Sequence, residues 1–573
     1  MHGKILALAV ILLCACGHPQ PPTSPAPAPD AIEALLDSLP LRDRIAQLVI
    51  PWIAGSYTAF DDAAFSTIQR WVDSLHVGGI IVSIGSPLDI AAKLNRLQRR
   101  SRIPLLVSSD LEGGTSLRFN GGTLLPPNMG VGATGSDRDA YEMGRITALE
   151  GRAVGIHLAF APDADVNNNP ANPIINVRSF GENPRAVGRL VAAEVRGLQE
   201  HGMLATAKHF PGHGDTGTDS HLALPVIMAD WRRLDSVELV PFRAAVREGV
   251  DVIMSAHIAL PAIDTGYLRP GTVVPAILTG MLRDSLGFRG LVVTDALNMN
   301  GVADLYGAEA AVKAFTAGAD ILLQPADPAA AIDAMVAAVA RGEITPARLD
   351  SSVRRVLALK ARLGLFGHRE VTLDSIPDIV GRAEFQAIAR DMSARSIVLV
   401  KDSAGVVHGL KSNHGPITLV SYGEEDNRSA GTALAAELRS LGYPVTALKL
   451  FPSSGIAAYD SALIALSRNP TSLFTTADRP TAYRGRIGLP QRLLDLIEGS
   501  AISRPTVVVA MGNPYVLSGL PSVGSYLIAW RSNGVAERAV AAALAGMAAI
   551  TGRLPISLPP RFPVGWGVQR HVP

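Results

Sequence analysis

Residues 208–221 read Lys-His-Phe-Pro-Gly-His-Gly-Asp-Thr-Gly-Thr-Asp-Ser-His and combine titratable side chains with one proline and three glycines. A helix does not tolerate this density of breakers, and a central strand tolerates it poorly. The apolar run just before it, residues 202–207, predicts a short buried strand. We therefore expect Lys208 and His209 at the end of that strand and the remainder in a loop, where functional residues often lie. The alternative is a solvated turn with incidental histidines.

Outward from this stretch, short apolar runs alternate with amphipathic helical patterns across residues 31–367. Eight runs predict strands, at 47–53, 78–82, 104–107, 158–161, 204–207, 252–254, 291–293 and 321–323. Helical patterns lie between them, at 65–75, 90–99, 138–150, 185–200, 240–248 and 308–317. Runs that are continuously apolar fit parallel strands buried on both faces, and eight such strands close a (β/α)8 barrel. An open doubly wound sheet is the alternative fold.

Polar residues follow most of these predicted strands. In a barrel the carboxyl ends of the strands share one rim, which is where the chemistry takes place. The candidates at strand ends are Asp110, Glu112, Asp163, Asp165, Lys208, His209, His257, Asp295 and Gln324. Their convergence from distant positions predicts an enzyme.

A second α/β domain is predicted for residues 391–573. The helix 346–365 closes the barrel, and residues 368–390 read as a connection with charges and a proline. Predicted strands then lie at 396–400, 417–420, 462–466, 506–510 and 525–529, with helices at 430–441 and 535–547. This domain shows no catalytic cluster of its own in the sequence.

The N-terminus is typical of an exported protein. Lys4 precedes the apolar run 5–15, which is too short to span a bilayer but suits the core of a signal peptide. The run ends Leu-Cys-Ala-Cys and resembles the lipobox of bacterial lipoproteins, which implies that Cys16 is lipidated and becomes the mature N-terminus. We predict a signal peptide at 1–16, a proline-rich tether at 17–30, and a protein anchored to the cell envelope through Cys16. An ordinary cleaved secretory signal is the alternative.

Composition excludes several classes of function. The formal net charge is +1, and no cluster of Lys and Arg is interleaved with aromatic residues, so nucleic acid is not an expected partner. Both cysteines lie in the predicted leader, at Cys14 and Cys16. The mature chain therefore has no internal disulfide, thiol nucleophile or thiolate metal site, and it relies on its large aliphatic core.

The stretch 208–221 matches the Lys-His-Phe-Pro-Gly-His-Gly-x-x-x-x-Asp-Ser-His signature of family 3 glycoside hydrolases. It is similar to the form found in the bacterial β-N-acetylglucosaminidases of that family. The resemblance extends over nearly all of the mature chain and takes in 110–114, 160–162, 178–181, 256–258, 275–279 and 287–297. It implies a (β/α)8 barrel followed by an α/β sandwich domain, with no organic cofactor or metal. It also implies an exo-acting, retaining enzyme that releases terminal β-linked N-acetylglucosamine from muropeptide or peptidoglycan fragments or from chitooligosaccharides.

Carried over residue by residue, the resemblance makes Asp295 the nucleophile. A carboxylate at a strand end can attack an anomeric carbon and form a covalent glycosyl-enzyme, and cations such as Lys208 favour its ionised form. From local sequence alone, Asp295 could equally be a helix N-cap.

The resemblance assigns the acid/base role to the pair Asp219 and His221, where most retaining glycosidases use a second carboxylic acid. A histidine can protonate the leaving oxygen and then activate water, and a neighbouring carboxylate fixes its tautomer. Because the pair lies on a glycine-containing loop, we expect it to swing in when substrate binds. A surface turn is the alternative.

Five further residues form the implied sugar-binding set: Asp110, Arg118, Arg178, Lys208 and His209. Carboxylate, guanidinium and ammonium groups can accept from or donate to sugar hydroxyls. Arg118 keeps the family's spacing, although residues 115–117 depart from the usual Arg-Val-Gln. Without the motif, each arginine could simply position a loop.

Two further histidines, His213 and His257, are predicted to be structural. A zinc site is disfavoured because His209 and His213 would need a helix between them, and Pro211 with Gly212 prevents one.

Three functional alternatives remain open. One is a β-glucosidase or other hexosidase of the same family, which usually takes its acid from the second domain. Another is a phosphorylase, since a histidine repels phosphate less than a carboxylate does. The third is a non-catalytic sugar-binding lipoprotein of the cell wall.

Overall fold

The computed structural model describes residues 29–265 and 268–572. The predicted signal peptide, Cys16 and residues 17–28 of the predicted tether lie outside the described residues. The first described helix begins at Pro29. A search of the described part of the chain finds no helix with the length and apolar character needed to cross a bilayer.

The first domain contains nine short parallel strands. They are β1 (Val49–Ile50), β2 (Trp52–Ala54), β3 (Gly79–Ser83), β4 (Leu106–Ser109), β5 (Leu158–Ala159), β6 (Thr206–Phe210), β7 (Val252–Ser255), β8 (Leu291–Thr294) and β9 (Leu322–Leu323). In β1 and in β3 to β9 every residue is buried, and all but Lys208 and His209 are apolar or small, as expected for strands covered on both faces.

These strands close into a ring. β2, β3, β4 and β5 pair in that order, and a bridge between Leu158 and Leu204 joins β5 to the residues before β6. β6, β7 and β8 pair in order, a bridge between Val293 and Ile321 leads to β9, and β9 pairs with β1. Since β1 and β2 are two halves of one strand interrupted at Pro51, the ring has eight members. The predicted (β/α)8 barrel is confirmed.

Two predicted barrel strands have different bounds in the structure. The predicted strand 47–53 is split because Pro51 has no N–H to donate, although its carbonyl still accepts from the Ile81 N–H at 3.0 Å. β6 runs to Phe210, which pairs with Ser255, so Lys208 and His209 lie within the strand, at the break in its register between Ala207 and Phe210. Both side chains nevertheless stay on the carboxyl half of β6.

Helices surround the barrel and continue to the second domain. Their bounds are α1 (Pro29–Ser38), α2 (Leu41–Ala46), α3 (Ala63–Asp73), α4 (Pro87–Arg100), α5 (Asn128–Thr134), α6 (Asp137–Ala153), α7 (Pro184–Gln199), α8 (Trp231–Ser236), α9 (Leu239–Arg247), α10 (Asn300–Tyr306), α11 (Glu309–Ala317), α12 (Pro328–Ala340), α13 (Pro346–Arg362), α14 (Ile376–Ile379) and α15 (Ala383–Ser396). A π-helix lies at Ala276–Ser285 and 3₁₀ turns at Thr115–Leu117, Asn176–Arg178, Gly271–Val273 and Leu373–Ser375. Local sequence determines where several of these helices begin. Asn183 caps α7 by accepting from the Arg185 and Ala186 N–H groups, and Pro184 fills its first position.

The second domain is a six-stranded sheet between two layers of helices. Its strands are β10 (Val398–Asp402), β11 (Ile417–Tyr422), β12 (Val445–Leu450), β13 (Thr471–Thr476), β14 (Thr506–Ala510) and β15 (Ser525–Ile528), in the order β10-β15-β14-β13-β11-β12. β10 is antiparallel to β15, and the other pairs are parallel. The helices are α16 (Val406–Leu410), α17 (Thr432–Ser440), α18 (Ile456–Arg468), α19 (Gln491–Ser503) and α20 (Gly534–Leu544), with a 3₁₀ turn at Pro514–Gly519. The expected α/β sandwich is confirmed.

One predicted strand of this domain is wrong. Residues 462–466 lie inside α18, where Tyr459, Ala462 and Leu466 face the core at helical spacing. The strand is β13 instead, whose Thr and Ser residues hide its buried character in the sequence. In addition, the predicted connection 368–390 holds α14 and the first half of α15.

The two domains are packed against each other. Met129, Ala133 and Val177 of the first domain share an apolar cluster with Trp530 of the second. Arg395 bonds both carboxylate oxygens of Asp139, at 2.6 and 2.8 Å. This packing fixes which residues of the second domain reach the barrel.

Candidate active site

A cavity of about 900 Å³ lies between the carboxyl-end rim of the barrel and the second domain. Seven residues predicted to form the site line it: Asp110, Arg118, Arg178, Lys208, His209, His221 and Asp295. The second domain contributes further lining residues, among them Asp426, Arg479, Tyr483, Arg531 and Asn533. Asp219 lies behind His221 and is 1% exposed. The structure therefore brings together every predicted site residue in the described range.

The topology explains this convergence. Asp110 is the first residue after β4, Asp295 is the first after β8, and Lys208 and His209 lie on β6. Because these strands are parallel, their carboxyl ends meet at one rim. Residues that are far apart in the chain thus surround one space.

Asp295 is a half-buried carboxylate held at the end of its strand. Its backbone N–H donates to the Ser255 carbonyl at 3.1 Å, and its Oδ1 accepts from the Ala296 N–H at 2.7 Å. Burial raises the pKa of Asp295, but the nearby imidazoles of His209, His257 and His221 outweigh it and hold that pKa below its ordinary value. Asp295 is therefore ionised at neutral pH, as a nucleophile must be.

His221 and Asp219 form a hydrogen-bonded pair. The Nδ1 of His221 lies 2.8 Å from Oδ1 of Asp219, and that oxygen also accepts the His221 backbone N–H at 2.9 Å. Burial raises the pKa of Asp219, but its bonds to His221 outweigh this and lower it. An ionised Asp219 places the proton on Nδ1 and leaves Nε2 free to exchange protons, and in the described residues no protein group bonds Nε2.

Lys208 joins two carboxylates at the floor of the cavity. Its Nζ lies 3.0 Å from Oδ1 of Asp110 and 2.6 Å from Oε1 of Glu112, and its side chain is 2% exposed. Burial lowers the pKa of Lys208, but the charges of Asp110 and Glu112 raise it by more than burial lowers it. The net shift is upward, so the ammonium stays charged. On the other side, Arg118 Nη2 donates to Oδ2 of Asp110 at 3.0 Å. Burial raises the pKa of Asp110, and Lys208 with Arg118 brings it below its ordinary value.

Arg178 forms the second half of this charged floor. It donates to both oxygens of Glu112, from Nε at 2.7 Å and from Nη2 at 2.9 Å. Its Nη2 also lies 3.2 Å from Nε2 of His209, whose Nδ1 lies 2.7 Å from Oδ2 of Asp165. Bidentate bonding of this kind fixes the orientation of the guanidinium. The floor thus presents fixed donors and acceptors of the kind that bind sugar hydroxyls.

His213 and His257 support other residues. Nδ1 and Nε2 of His213 lie 2.8 and 3.0 Å from the hydroxyls of Thr216 and Ser220, which fastens the loop that carries His221. Nε2 of His257 lies 3.0 Å from the carbonyl oxygen of Ala296, next to Asp295. Both rings are buried, in keeping with the structural role predicted for them.

Among residues 29–265 and 268–572, one group of three side chains has the spacing of a metal site: Asp163, Asp165 and His209. Most of their donor atoms are already engaged, although within the described residues Oδ2 of Asp163 has no hydrogen-bond partner. Asp165 bonds the His209 ring and the backbone N–H groups of His209 and His213, and Asp163 Oδ1 accepts the Asp165 N–H at 3.0 Å. Burial and the neighbouring Asp165 raise the pKa of Asp163 well above its ordinary value, which disfavours its charged form. These contacts describe a hydrogen-bonded support for His209.

Sequence reasoning named Glu112 only as one of the candidates at the strand ends, without a specific role, and it assigned no residue of the second domain to the site. Glu112 bonds both Lys208 and Arg178, and its place two residues after Asp110 was the available indication. Tyr483, Arg531 and Asn533 carry no local motif, and only the docking of the two domains brings them to the cavity.

Known proteins resemble this chain in sequence and in fold. Residues 40–359 match the glycosyl hydrolase family 3 N-terminal domain. A Cellulomonas fimi protein named beta-N-acetylglucosaminidase/beta-glucosidase is 32% identical over 506 residues, which are 84% of this chain and 88% of that protein.

Solved structures of other proteins also resemble this chain. A glycoside hydrolase family 3 beta-N-acetylglucosaminidase from Paenibacillus sp. str. FPU-7 is 35% identical, with a TM-score of 0.82 over 91% of this chain and 99% of that one. A beta-glucoside phosphorylase is 26% identical, with a TM-score of 0.85 over 92% of this chain and 96% of its own. From the matched domain and these relatives, we conclude that the chain belongs to glycosyl hydrolase family 3.

Proposed function

We propose that this protein is a retaining exo-β-N-acetylglucosaminidase that releases terminal β-linked N-acetylglucosamine. The observation that carries the proposal is that an ionised Asp295 and the Asp219–His221 pair face the same cavity. The names of the Cellulomonas and Paenibacillus relatives support the choice of sugar.

The first step forms a glycosyl-enzyme. A carboxylate oxygen of Asp295 attacks the anomeric carbon while the bond from that carbon to the leaving oxygen breaks. Nε2 of His221 gives its proton to the leaving oxygen, and Asp219 stabilises the orientation of the ring through Nδ1. The aglycone leaves as an alcohol, and the sugar remains bound to Asp295 as an ester.

The second step releases the sugar. Nε2 of His221, now without its proton, takes one from water, and the resulting hydroxide equivalent attacks the same carbon. The bond to Asp295 breaks, which returns the carboxylate and gives a product of unchanged configuration. One histidine thus acts first as acid and then as base.

Sugar hydroxyls are bound by the charged floor. Asp110 can accept two adjacent hydroxyls, and Lys208, Arg118 and Arg178 can donate to others, while His209 holds Arg178 in place through Nε2. Their mutual ion pairs hold these groups in place before substrate arrives, which lowers the entropy cost of binding.

The N-terminal sequence supports a proposal for the protein's location and, with it, for the source of its substrate. We propose export and lipid anchoring at Cys16, with muropeptide or peptidoglycan fragments or chitooligosaccharides as natural substrates. Palmitate labelling of cells that produce the full chain, compared with a Cys16→Ala variant, tests the anchor.

The resemblance to a beta-glucoside phosphorylase favours one second candidate, a β-glycoside phosphorylase. In that reaction phosphate replaces water in the second step, and the imidazole of His221 repels it less than a carboxylate acid/base would. The product would then be the sugar 1-phosphate rather than the free sugar.

A panel of aryl β-glycosides tests both proposals. The N-acetylglucosaminide, glucoside and N-acetylgalactosaminide are compared in phosphate and in a phosphate-free buffer. We expect the N-acetylglucosaminide to be hydrolysed fastest, at equal rates in both buffers. A faster glucoside would make the enzyme a β-glucosidase, sugar 1-phosphate would make it a phosphorylase, and binding without turnover would make it a sugar-binding protein.

A further inference from the structure

One segment of the second domain reaches the His221 loop of the barrel. We call residues 479–489 the Tyr483 segment; it follows β13 and precedes α19. The ring of Tyr483 contacts the imidazole of His221, with centroids 5.0 Å apart and planes at 61°. Edge-on packing of this kind is a favoured geometry for aromatic rings.

The same segment packs closely on the residues that flank His221. A β-carbon added to Gly485 would lie 2.7 Å from Cδ1 of Leu222, so the Leu222 side chain would have to move to admit a larger residue. The backbone amide of Gly485 also contributes to the low pKa of Asp219. The Tyr483 segment therefore contacts both members of the pair and the residue after it.

The Tyr483 segment is fixed to its own domain. Arg484 bonds Glu424 and lies 3.9 Å from Asp478, and the main-chain oxygen of buried Asp478 accepts the Asn513 N–H at 2.6 Å. Tyr483 has φ +67°, a conformation that bulky residues rarely adopt unless their surroundings hold them there.

We infer that Tyr483 is a positioning residue for His221, so that the second domain completes the acid/base unit of the barrel; this rests on the proposed function. Asp219 fixes the imidazole at one nitrogen only, which leaves the ring free to tilt about that bond. The Tyr483 ring occupies the space into which it would tilt and keeps Nε2 toward the substrate. The aromatic ring provides this contact, and its hydroxyl is not required.

Two substrates distinguish a loss of acid positioning from a general loss of structure. A dinitrophenyl β-N-acetylglucosaminide has a leaving group that needs no proton, whereas the phenyl glycoside needs one. In the full chain we expect Tyr483→Ala to lower kcat/KM for the phenyl glycoside about 10-fold and for the dinitrophenyl glycoside less than about 3-fold. Tyr483→Phe is expected to behave as wild type on both. Arg486→Ala, an exposed residue of the same segment, is the matched control.

The outcomes are distinct. Equal losses on both substrates, no loss on either, or a Tyr483→Phe variant as impaired as Tyr483→Ala would each overturn the positioning role. Tyr483 is 56% exposed, so the variants are expected to fold, and their melting temperatures check this. If the wild-type protein hydrolyses neither substrate, the proposed function fails and the inference with it; if only the Tyr483 result fails, the proposed function stands.

Discussion

Oδ1 of Asp219 accepts two hydrogen bonds from the same residue, one from the ring of His221 at 2.8 Å and one from its backbone N–H at 2.9 Å. The carboxylate therefore fixes the position of the main chain and the tautomer of the ring together. Asp219 is 1% exposed, and burial alone would raise its pKa. These bonds outweigh burial and lower the pKa, so Asp219 keeps its charge at neutral pH. A histidine held in this way can act as acid and base on one face of a sugar.

The first prediction concerns this pair. Replacing His221 with alanine removes the proton donor, so kcat/KM for natural disaccharides should fall about 10²- to 10⁴-fold. The loss on a dinitrophenyl glycoside should be far smaller at the first step, since that leaving group needs no proton. Asp219→Asn, which keeps the shape but not the charge, should show the same preference more weakly. Equal losses on both substrates would exclude the acid role, and Glu309→Gln, at the exposed first residue of α11, is the control.

Asp295 gives the second prediction. Asp295→Asn removes the nucleophile and should lower kcat about 10⁴-fold or more on every substrate, whatever its leaving group. Intact mass spectrometry separates the two steps. The His221→Ala variant treated with the dinitrophenyl glycoside should gain the mass of one sugar, because it lacks the base for the second step, and the Asp295→Asn variant should gain none. A sugar adduct on Asp295→Asn would place the nucleophile elsewhere.

The barrel half of the site could be predicted because its information is local. Asp110, Lys208 and Asp295 each follow or end a run of buried residues, and parallel strands bring such positions to one rim whatever the loops do. The second domain's part could not be predicted in this way. Tyr483 reaches His221 through the docking of the two domains, in which Met129 and Trp530 share one apolar cluster, and no periodicity in the sequence encodes that contact.

The same distinction explains the misplaced strand. Residues 462–466 form an apolar run as a strand would, but they belong to a helix in which Tyr459, Ala462 and Leu466 face the core at helical spacing. β13 contains four Thr and Ser residues, yet all but its first residue are buried in the middle of the sheet. Tertiary burial decided both cases against the local pattern.

Glu112 gives the third prediction. It is 8% exposed and holds Lys208 and Arg178 by three bonds of 2.6 to 2.9 Å. Burial raises its pKa, but Arg178 and Lys208 outweigh this and bring the pKa well below its ordinary value. Glu112→Gln leaves two buried cations with one carboxylate fewer, which should lower the free energy of unfolding by about 3–5 kcal/mol.

Chemical unfolding of the full chain measures this loss, with Glu309→Gln again as the exposed control. We also expect KM for the N-acetylglucosaminide to rise, since Arg178 loses the carboxylate that orients it. A Glu112→Gln variant as stable as the wild type would mean that Asp110 alone compensates the positive charges at the floor of the cavity.

The last prediction concerns Glu194 on α7, a carboxyl group beneath the site. It is fully buried, and within the described chain neither of its side-chain oxygens has a hydrogen-bond partner. Burial, and then the charge of Glu112, raises its pKa from 4.5 to about 8. Between these two values the folded protein keeps a proton that the unfolded chain has released. The folded state binds more protons, so the free energy of unfolding must fall as the pH rises from 4.5 to 8.

Glu194→Gln resembles the protonated form and has no proton to lose, so this pH dependence should disappear. The advantage of the variant over wild type should grow with pH and level off above about pH 8, at on the order of 5 kcal/mol. Unfolding measured at pH 5.5, 7 and 8.5 gives the difference at each pH, and Glu309→Gln should follow the wild type throughout. Parallel curves for wild type and Glu194→Gln would mean that Glu194 is ionised in the folded protein, with its charge stabilised by groups near Lys208.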